Sequence, residues 1–318
     1  MPRLAIINDY QQLAMQAADW SSLPDSCSLD VSHDRLTNAE EAAQRLAPYD
    51  IVITAREETR FDNALIERLP NLKLLITHGM QNAALDMAAL RARGISVCGT
   101  GYGYPMGTVE LTWGLILSLV KHIPSEDTAI RQGHWGLHLS GGLTGKTLGI
   151  VGLGELGSGV ARVGLAFDMQ VIAWSQNLTR ERCEALGVEL VDKQTLFERA
   201  DVVSVHLKLS ERSRGIVGAT ELGWMKPDAM LINTSRGPVV DENALVAALR
   251  EGRIGGAGLD VFDTEPLPTD HVLRGLPNTV LTPHIGGRTR ENFLARYADC
   301  LEDVKAWLAG APVRVLNP

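Results

Sequence analysis

The sequence predicts an α/β protein made of two doubly wound, parallel-sheet domains. Short apolar runs that read as buried strands alternate with helical patterns along the chain, which is typical of a parallel sheet covered on both faces. A glycine pattern directly follows one of these runs, within the segment Thr147 to Asn177. The chain has 318 residues, enough for two domains that each bury a core of their own.

The first hundred residues predict a small α/β domain. Its strands are predicted at residues 4–8, 51–54, 72–77 and 95–98, and its helices at 38–46 and 62–69. Glycine and proline accumulate from Thr100 to Gly107, which indicates a linker or hinge. The apolar tract Val109 to Val120 is too short to span a membrane and contains a glutamate, so we predict a buried helix there.

The segment from Thr147 to Asn177 predicts a strand–helix–strand unit that binds a dinucleotide. A buried strand runs into Gly152, Gly154 and Gly157, and a helix with one apolar face follows. Such glycines permit a tight turn and let backbone N–H groups approach a pyrophosphate at the helix N-terminus. Glu155 and Leu156 belong to the same predicted cofactor loop, with the Glu155 side chain pointing to solvent.

The residues after the second strand of this unit leave the choice of cofactor open. The acidic residue that would bind the ribose hydroxyls of NAD is missing, and Ser175, Gln176 and Asn177 stand in its place. Because no carboxylate stands there to repel a phosphate, Arg180 or Arg182 could bind the 2′-phosphate of NADP. The alternative is that both arginines are solvated charges on a helix surface. The predicted cofactor is therefore NAD or NADP.

Beyond this unit, strands and helices keep alternating and predict a larger doubly wound domain. Further strands are predicted at residues 201–209, 229–233, 255–260 and 279–282. Asp241 is predicted to cap a helix. The last helix, residues 290–308, is expected to pack back on the first domain. The first domain would then comprise residues 1–101 and 288–318, and the second residues 102–287.

Three segments place a polar residue just beyond an apolar strand, where open α/β sheets bind ligands. They offer Arg236, His284 and one of Asp260, Asp263 or Glu265. If the loops converge, Arg236 would hold a substrate carboxylate, and His284 would exchange a proton with the substrate oxygen during hydride transfer. Glu265 would orient the imidazole and raise its pKa above the reference value of about 6.5. Considered one at a time, Arg236, Glu265 and His284 could each have a purely structural role, as a surface, turn or loop residue respectively.

Four motifs follow one another along the second half of the chain: VGLGELG, HLKLSERSRGIVGATELGWMKPDAMLINTSRGPVVDENAL, GLDVFDTEPLP and TPHIGG. Their order closely resembles the D-isomer-specific 2-hydroxyacid dehydrogenase family, and the first domain resembles it more loosely. The resemblance implies Rossmann/flavodoxin-like domains with an active-site cleft between them, the first binding substrate and the second binding the dinucleotide. It also implies a homodimer.

The resemblance assigns roles to individual residues of this chain. Arg236, Glu265 and His284 match the family's catalytic residues, and Asp260 matches the residue that holds the nicotinamide carboxamide. We also expect cofactor contacts from Thr108, His206 and Thr234. The implied activity is hydride transfer between NAD(P) and a D-2-hydroxy acid/2-keto acid pair.

The predicted substrate loop of the first domain departs from the family's pattern. Relatives carry a glycine-rich loop whose backbone binds the substrate carboxylate, but here Gln81 replaces the second glycine and alanines replace an Asp-Asn pair. We therefore expect His78, Gly79 and Met80 to line an altered substrate pocket. Formate dehydrogenases resemble this chain but pair the catalytic histidine with glutamine, so Glu265 speaks against that activity.

Composition indicates which partners and which compartment to expect. A net charge of −8 without a basic stripe disfavours nucleic acid and anionic membranes as partners. Four scattered cysteines suggest neither a metal site nor disulfides, which fits reduced thiols in the cytoplasm. The alternative to an enzyme is a nucleotide-sensing binding protein that resembles the family's co-repressor branch, but the presence of Arg236, Glu265 and His284 together favours the enzyme.

Overall fold

Two separate parallel sheets organise the computed structural model, which describes residues 1–36, 38–101 and 104–318. Unit 1 comprises Met1–Tyr104 and Thr289–Pro318, and unit 2 comprises Pro105–Arg288. Thr37 lies outside the described residues, as do Tyr102 and Gly103 of the predicted linker. Every pair of neighbouring strands in the described residues is parallel, which confirms the predicted class of two parallel-sheet α/β domains.

The described residues of unit 1 contain a five-stranded sheet. Its strands are β1 (Arg3–Ile6), β2 (Ser28–Val31), β3 (Ile51–Thr54), β4 (Leu74–Thr77) and β5 (Ser96–Gly99). Their order in space is β2-β1-β3-β4-β5, which is the flavodoxin-like order. The direction of the order reverses between β1 and β3, so the loops after these strands lie where open sheets bind ligands.

Two strand predictions in unit 1 were wrong in detail. The sequence analysis missed β2, whose residues SLDV are exposed or half-buried because the strand lies at the sheet edge. It also extended β1 to residue 8, whereas Asn8 adopts a positive φ of 65° and ends the strand. The Asn8 side chain instead accepts hydrogen bonds from the hydroxyl groups of Thr54 and Thr59, at 3.0 and 3.3 Å.

The described residues of unit 2 contain a seven-stranded sheet. Its strands are β6 (Thr147–Val151), β7 (Gln170–Trp174), β8 (Glu189–Leu190), β9 (Val202–Val205), β10 (Met230–Asn233), β11 (Gly256–Leu259) and β12 (Thr279–Leu281). Their order in space is β12-β11-β10-β9-β6-β7-β8. The order reverses at β6, so the glycine loop after β6 stands at the topological switch point. The prediction of a strand over residues 201–209 was too long, and β8 was missed.

Helices connect the strands of each sheet. In chain order they are α1 (Ala14–Ala17), α2 (Ala39–Leu46), α3 (Asn63–Glu67), α4 (Met87–Ala92), α5 (Met106–Val120), α6 (Ile123–Arg131), α7 (Glu155–Ala166), α8 (Arg180–Glu184), α9 (Lys193–Arg199), α10 (Ala219–Trp224), α11 (Glu242–Arg250) and α12 (Arg290–Leu308). Asp241 caps α11 by accepting a hydrogen bond from the Ala244 amide, as predicted. Within the residues described, we find no helix with the length and apolar character needed to cross a membrane.

Candidate active site

The three glycines of the loop after β6 are required for different reasons. Gly152 has a φ of +100°, and a Cβ there would lie 2.9 Å from the His206 carbonyl oxygen. A Cβ on Gly157 would lie 2.1 Å from the Gly152 carbonyl oxygen, so only glycine fits where the helix meets the loop. A Cβ on Gly154 would meet no atom within 4 Å. The loop therefore leaves open space over its backbone at the N-terminus of α7, which suits a pyrophosphate group.

The end of β7 lies beside this loop. The Gly152 amide donates a hydrogen bond of 2.9 Å to the Trp174 carbonyl, and the half-buried Ser175 follows directly. Nε of Arg182 donates a 2.8 Å hydrogen bond to the Leu153 carbonyl, which holds that guanidinium against the glycine loop. Arg180 is exposed.

The loops after β10 and β11 touch through their backbones. A Cβ on Gly237 would lie 2.1 Å from both the carbonyl carbon and the carbonyl oxygen of Phe262, so this contact needs a glycine. Arg236 precedes that glycine, and its Nη1 donates a 2.7 Å hydrogen bond to the Ser235 carbonyl. The Asn233 side chain donates to the Arg236 carbonyl at 3.0 Å and thereby holds the turn.

Glu265 and His284 form a direct pair. Nδ1 of His284 lies 2.6 Å from Oε2 of Glu265, while Oε1 of Glu265 accepts a 2.9 Å hydrogen bond from the Phe262 amide. Burial acts to raise the pKa of Glu265, but the hydrogen bond and charge of His284, the Phe262 amide and the charge of Arg236 hold that pKa below its ordinary value. An ionised Glu265 favours the proton on Nδ1 of His284, which leaves Nε2 free to react. The structure thus brings Glu265 and His284 together, with Arg236 near enough to act on the carboxylate.

Asp260 organises the loop that carries His284. Its carboxylate accepts hydrogen bonds from the hydroxyl of Thr282 at 2.6 Å and from the amides of Ile285 and Gly286 at 2.8 and 2.9 Å. Burial raises the pKa of Asp260 above its ordinary value, although these three hydrogen bonds oppose that rise. His284 itself has a left-handed φ of 53°, so the bonds on both sides of it hold an uncommon backbone conformation.

The other expected cofactor residues of unit 2 lie in and around these loops. Thr108 of α5 packs on Gly286, with its Oγ1 3.2 Å from the position that a Cβ there would take. Thr234 follows β10, and its hydroxyl lies 2.8 Å from that of Thr112. Nε2 of His206 lies 2.8 Å from the Ser204 hydroxyl, and burial lowers the His206 pKa to about 4, so that this imidazole is neutral at pH 7.

The residues predicted to bind substrate follow β4 in unit 1. His78 is only 2% exposed, and its ring packs edge-on against those of Phe293 and Tyr297, with centroids 5.8 and 5.0 Å apart. Gly79 has a φ of +86°, and its amide donates a 2.7 Å hydrogen bond to the Thr100 hydroxyl. Met80 is half-buried. His78 therefore belongs to the interior of unit 1. In the turn that follows it, Met80 is the expected substrate residue whose side chain is partly accessible.

Sequence reasoning missed two arginines beside this turn. Arg56 follows β3 by two residues and packs on Gly79, and Arg296 lies on α12 close to His78. The position of Arg56 just after an apolar strand was a usable signal. For Arg296, the sequence contained no signal because α12 is distant in the chain from β4.

Unit 2 has a glycine loop at the switch point of a parallel sheet, and later loops of the same unit pair a carboxylate with an imidazole. These two features together are typical of a nicotinamide-dependent oxidoreductase. Residues 113–286 match the family model described as the NAD binding domain of D-isomer specific 2-hydroxyacid dehydrogenase. This match spans more than half of the 318 residues. The chain belongs to the D-isomer-specific 2-hydroxyacid dehydrogenase family.

Individual relatives agree with this assignment. The chain is 38% identical over 257 residues to a glyoxylate reductase of Thermococcus litoralis, covering 78% of this chain and 77% of the relative. The crystal structure of a phosphoglycerate oxidoreductase from Vibrio cholerae is 32% identical, with a TM-score of 0.90 over 98% of this chain and 100% of that one. An acyclic imino acid reductase solved in complex with NADPH and D-Arg is 29% identical, with a TM-score of 0.74 over 99% of both chains.

The protein is therefore an NAD- or NADP-dependent dehydrogenase that acts on the CH–OH group of a 2-hydroxy acid. It transfers a hydride between the dinucleotide and a D-2-hydroxy acid/2-keto acid pair.

Proposed function

We propose that Arg236, Glu265 and His284 are the catalytic residues for this reaction. The observation that carries the proposal is the 2.6 Å contact between Nδ1 of His284 and Oε2 of Glu265, since such a pair leaves Nε2 as the proton donor. The backbone contact at Gly237 supports the inclusion of Arg236, because it joins the Arg236 loop to the loop that carries Glu265.

Each of these side chains has a distinct task. The nicotinamide of the bound dinucleotide supplies or accepts the hydride. Nε2 of His284 gives a proton to the carbonyl oxygen of the keto acid and takes it back from the hydroxyl group in the reverse direction. Glu265 orients the imidazole and stabilises its charged form. Arg236 offers a planar set of donors that binds the substrate carboxylate and polarises the neighbouring carbonyl.

We propose that unit 2 binds the dinucleotide and that unit 1 binds the substrate. The open backbone surface at Gly154 supports the first assignment. The cofactor residues are Gly152, Gly154, Glu155, Leu156, Gly157, Ser175, Thr108, His206, Thr234 and Asp260. His78, Gly79 and Met80 form or support the substrate turn of unit 1. Asp260 would act on the cofactor site mainly through the loop it holds, since three hydrogen bonds already engage its carboxylate.

Two alanine substitutions in the glycine loop should have different effects. Gly157→Ala places a methyl group 2.1 Å from a carbonyl oxygen, so we expect it to lower the free energy of unfolding by at least about 1 kcal/mol. Gly154→Ala meets no protein atom, so we expect normal stability but a Kd for NADH or NADPH raised at least about tenfold by the methyl group over the backbone amides. Denaturant unfolding and fluorescence titration measure the two effects. Unchanged dinucleotide affinity of Gly154→Ala would place the pyrophosphate elsewhere.

A panel assay tests the proposed function as a whole. Glyoxylate, pyruvate, hydroxypyruvate and bulkier 2-keto acids are each mixed with NADH or NADPH and the purified protein, and absorbance at the nicotinamide band is followed. We expect turnover of at least one keto acid and formation of the D-hydroxy acid. Dinucleotide binding without turnover of any keto acid would instead favour the nucleotide-sensing binding protein.

We also propose that the protein is a cytoplasmic homodimer that pairs through an apolar surface of unit 2. This surface consists of Ile123, Ile130, Trp135, Leu137 and Leu139, and its tryptophan and last leucine are 87% and 97% exposed. Ile123, Ile130 and Trp135 line a common pocket, and exposed apolar side chains that lie together are typical of a protein interface. Free cysteines support a reducing compartment.

The apolar surface gives a direct test of the dimer. The double substitution Trp135→Glu and Leu139→Glu should convert a dimer to a monomer in light-scattering measurements, because charged side chains resist burial in an interface. Leu209→Glu, at a leucine that is 37% exposed elsewhere in unit 2, is the control and should leave the dimer intact. A wild-type monomer at micromolar concentration would refute the proposal.

A further inference from the structure

The turn from Gly79 to Ala84, which follows β4 in unit 1, is fastened at both ends. At its start, the Gly79 amide donates a 2.7 Å hydrogen bond to the hydroxyl of the buried Thr100. A Cβ on Gly99, the last residue of β5, would lie 2.6 Å from the Gly79 carbonyl oxygen, so only glycine permits this approach. At its end, the Ala84 carbonyl accepts a 2.8 Å hydrogen bond from the Phe61 amide. Contacts with neighbouring segments therefore set both ends of the turn.

Between these ends, the side chain of Asn82 joins the turn to the rest of unit 1. This residue is half-buried, and its Oδ1 accepts hydrogen bonds from the Ala84 amide at 2.9 Å and from the Glu57 amide at 3.3 Å. Its Nδ2 donates a 2.8 Å hydrogen bond to the Thr77 hydroxyl at the end of β4. Because backbone amides only donate, these contacts fix which end of the side chain is the oxygen. One side chain thus connects the turn to β4 and to the loop after β3.

The neighbours of Asn82 in the turn have no such anchor. Gln81 and Ala83 are exposed, and Met80 is half-buried. Across the described residues, neither the Gln81 side chain nor the backbone amide of Met80 or Gln81 forms a hydrogen bond. Consecutive N–H groups in a turn can form a concave site for an anion. The position of these two amides therefore depends on the ends of the turn and on Asn82 between them.

We propose that Asn82 is a positioning residue for the substrate, which holds the turn through its contacts with Thr77 and Glu57. The groups that it positions are the backbone amides of Met80 and Gln81, which bind the substrate carboxylate. This inference rests on the proposed function, which assigns the turn to substrate binding, and adds to it the residue that holds the turn in place.

The chemistry of the reaction predicts how the loss of Asn82 appears in the kinetics. Hydride transfer changes the carbon next to the carboxylate, while the carboxylate itself keeps its charge. Its binding therefore contributes about equally to the ground state and to the transition state. Weaker binding of this group raises KM and leaves kcat nearly unchanged.

The experiment varies the contacts of Asn82 one by one. Asn82→Ala removes all three contacts. Asn82→Ser retains an oxygen that can bind the Ala84 amide, but its shorter side chain cannot reach Thr77. Thr77→Val, alone and combined with Asn82→Ala, completes a double-mutant cycle. The control is Asn71→Ala, because Nδ2 of Asn71 also joins two segments of unit 1, through a 2.9 Å hydrogen bond to the Ala47 carbonyl, but stands before β4 and not after it.

Two measurements report on substrate binding in each variant. Steady-state kinetics with the keto acid that the wild-type protein reduces best give kcat and KM. The change in NADH or NADPH fluorescence on addition of oxamate, an unreactive analogue of a 2-keto acid, gives a Kd that does not depend on turnover. The Tm and the Kd of the dinucleotide show whether each variant is folded.

We expect Asn82→Ala to raise KM for the keto acid and the Kd of oxamate at least about tenfold, while kcat changes less than about threefold and the Kd of the dinucleotide stays the same. Asn82→Ser should resemble Asn82→Ala, because both lose the contact with β4. Thr77→Val should raise KM in the wild-type background but have little further effect in Asn82→Ala. Asn71→Ala should match the wild type in both measurements.

Three results would overturn this inference while leaving the proposed function intact. The first is a folded Asn82→Ala variant with unchanged KM and unchanged oxamate affinity. The second is wild-type behaviour of Asn82→Ser, which would mean that only the local turn matters. The third is additivity of Thr77→Val and Asn82→Ala, which would mean that these side chains do not act through their contact. If Asn82→Ala does not fold, Asn82→Ser and Thr77→Val decide by the same measurements.

Failure of the proposed function is distinguishable from failure of this inference. If the proposed function is wrong, the wild-type protein reduces no keto acid. The oxamate titration still tests Asn82 in that case, because equal Kd values for the wild-type protein and Asn82→Ala would refute its role.

Discussion

Replacing His284 by glutamine is expected to lower kcat for keto-acid reduction at least about a hundredfold, because the variant has no group that donates a proton to the carbonyl oxygen. Dinucleotide affinity should change little. The chain offers a matched control in His271, whose Nε2 lies 3.1 Å from Oε1 of Glu242, so it too pairs with a glutamate in unit 2. His271→Gln should keep a near wild-type kcat. Full activity of His284→Gln would exclude His284 as the acid.

The partner of His284 predicts a loss of turnover without a loss of dinucleotide binding. Because the pKa of Glu265 lies below its ordinary value, this carboxylate is ionised across the neutral range and holds the proton of His284 on Nδ1. Glu265→Gln should therefore lower kcat for reduction at least about tenfold at pH 7, while the Kd of the dinucleotide stays near the wild-type value. A matching loss of dinucleotide affinity and of stability would mean that Glu265 acts on the fold and not on the proton.

Replacing Arg236 by alanine is expected to remove detectable turnover of carboxylate substrates, a loss of at least about a hundredfold in kcat/KM, while the Kd of the dinucleotide stays nearly unchanged. Arg236→Lys should recover little, since a single ammonium group cannot bind the carboxylate with two parallel hydrogen bonds. Steady-state kinetics and a separate dinucleotide titration provide the two measurements.

The control for Arg236 is Arg253→Ala. Arg253 lies in unit 2 and pairs with Glu251 at 2.7 Å, with its side chain 39% exposed, so its loss should leave both kcat/KM and dinucleotide affinity near the wild-type values. An equal loss of substrate turnover and dinucleotide binding in Arg236→Ala would contradict the role assigned to the guanidinium group.

The central strands were predictable because burial on both faces leaves an uninterrupted apolar run. β3 and β4 read IVIT and LLIT, and every residue in them is buried. The edge strand β2 was not predictable in the same way, since SLDV alternates between exposed and half-buried positions over only four residues. The two-residue strand β8 lacks enough sequence to show any period.

The sequence predicted those residues of the candidate site that directly follow a strand. Arg236 follows β10 and Asp260 follows β11, and parallel strands bring such positions to one edge of the sheet. Spacing by itself allowed Asp260, Asp263 or Glu265 as the partner of His284, and the sequence analysis assigned that role to Glu265. The folded chain distinguishes them: Asp260 binds the amides around His284, Glu265 binds the imidazole, and the Asp263 amide donates to Glu242.

The sequence by itself determined the alternation of strands and helices, the glycine loop and the residue types available for hydride and proton transfer, because periodicity and backbone freedom are local properties. Only the tertiary structure decided that the Glu265 carboxylate lies 2.6 Å from the His284 imidazole, and that Phe293 and Tyr297 of α12 pack on His78 after β4. These contacts join residues far apart in the chain. The packing of sheets and helices determines which residues meet in these contacts, and no single segment of the sequence encodes that packing.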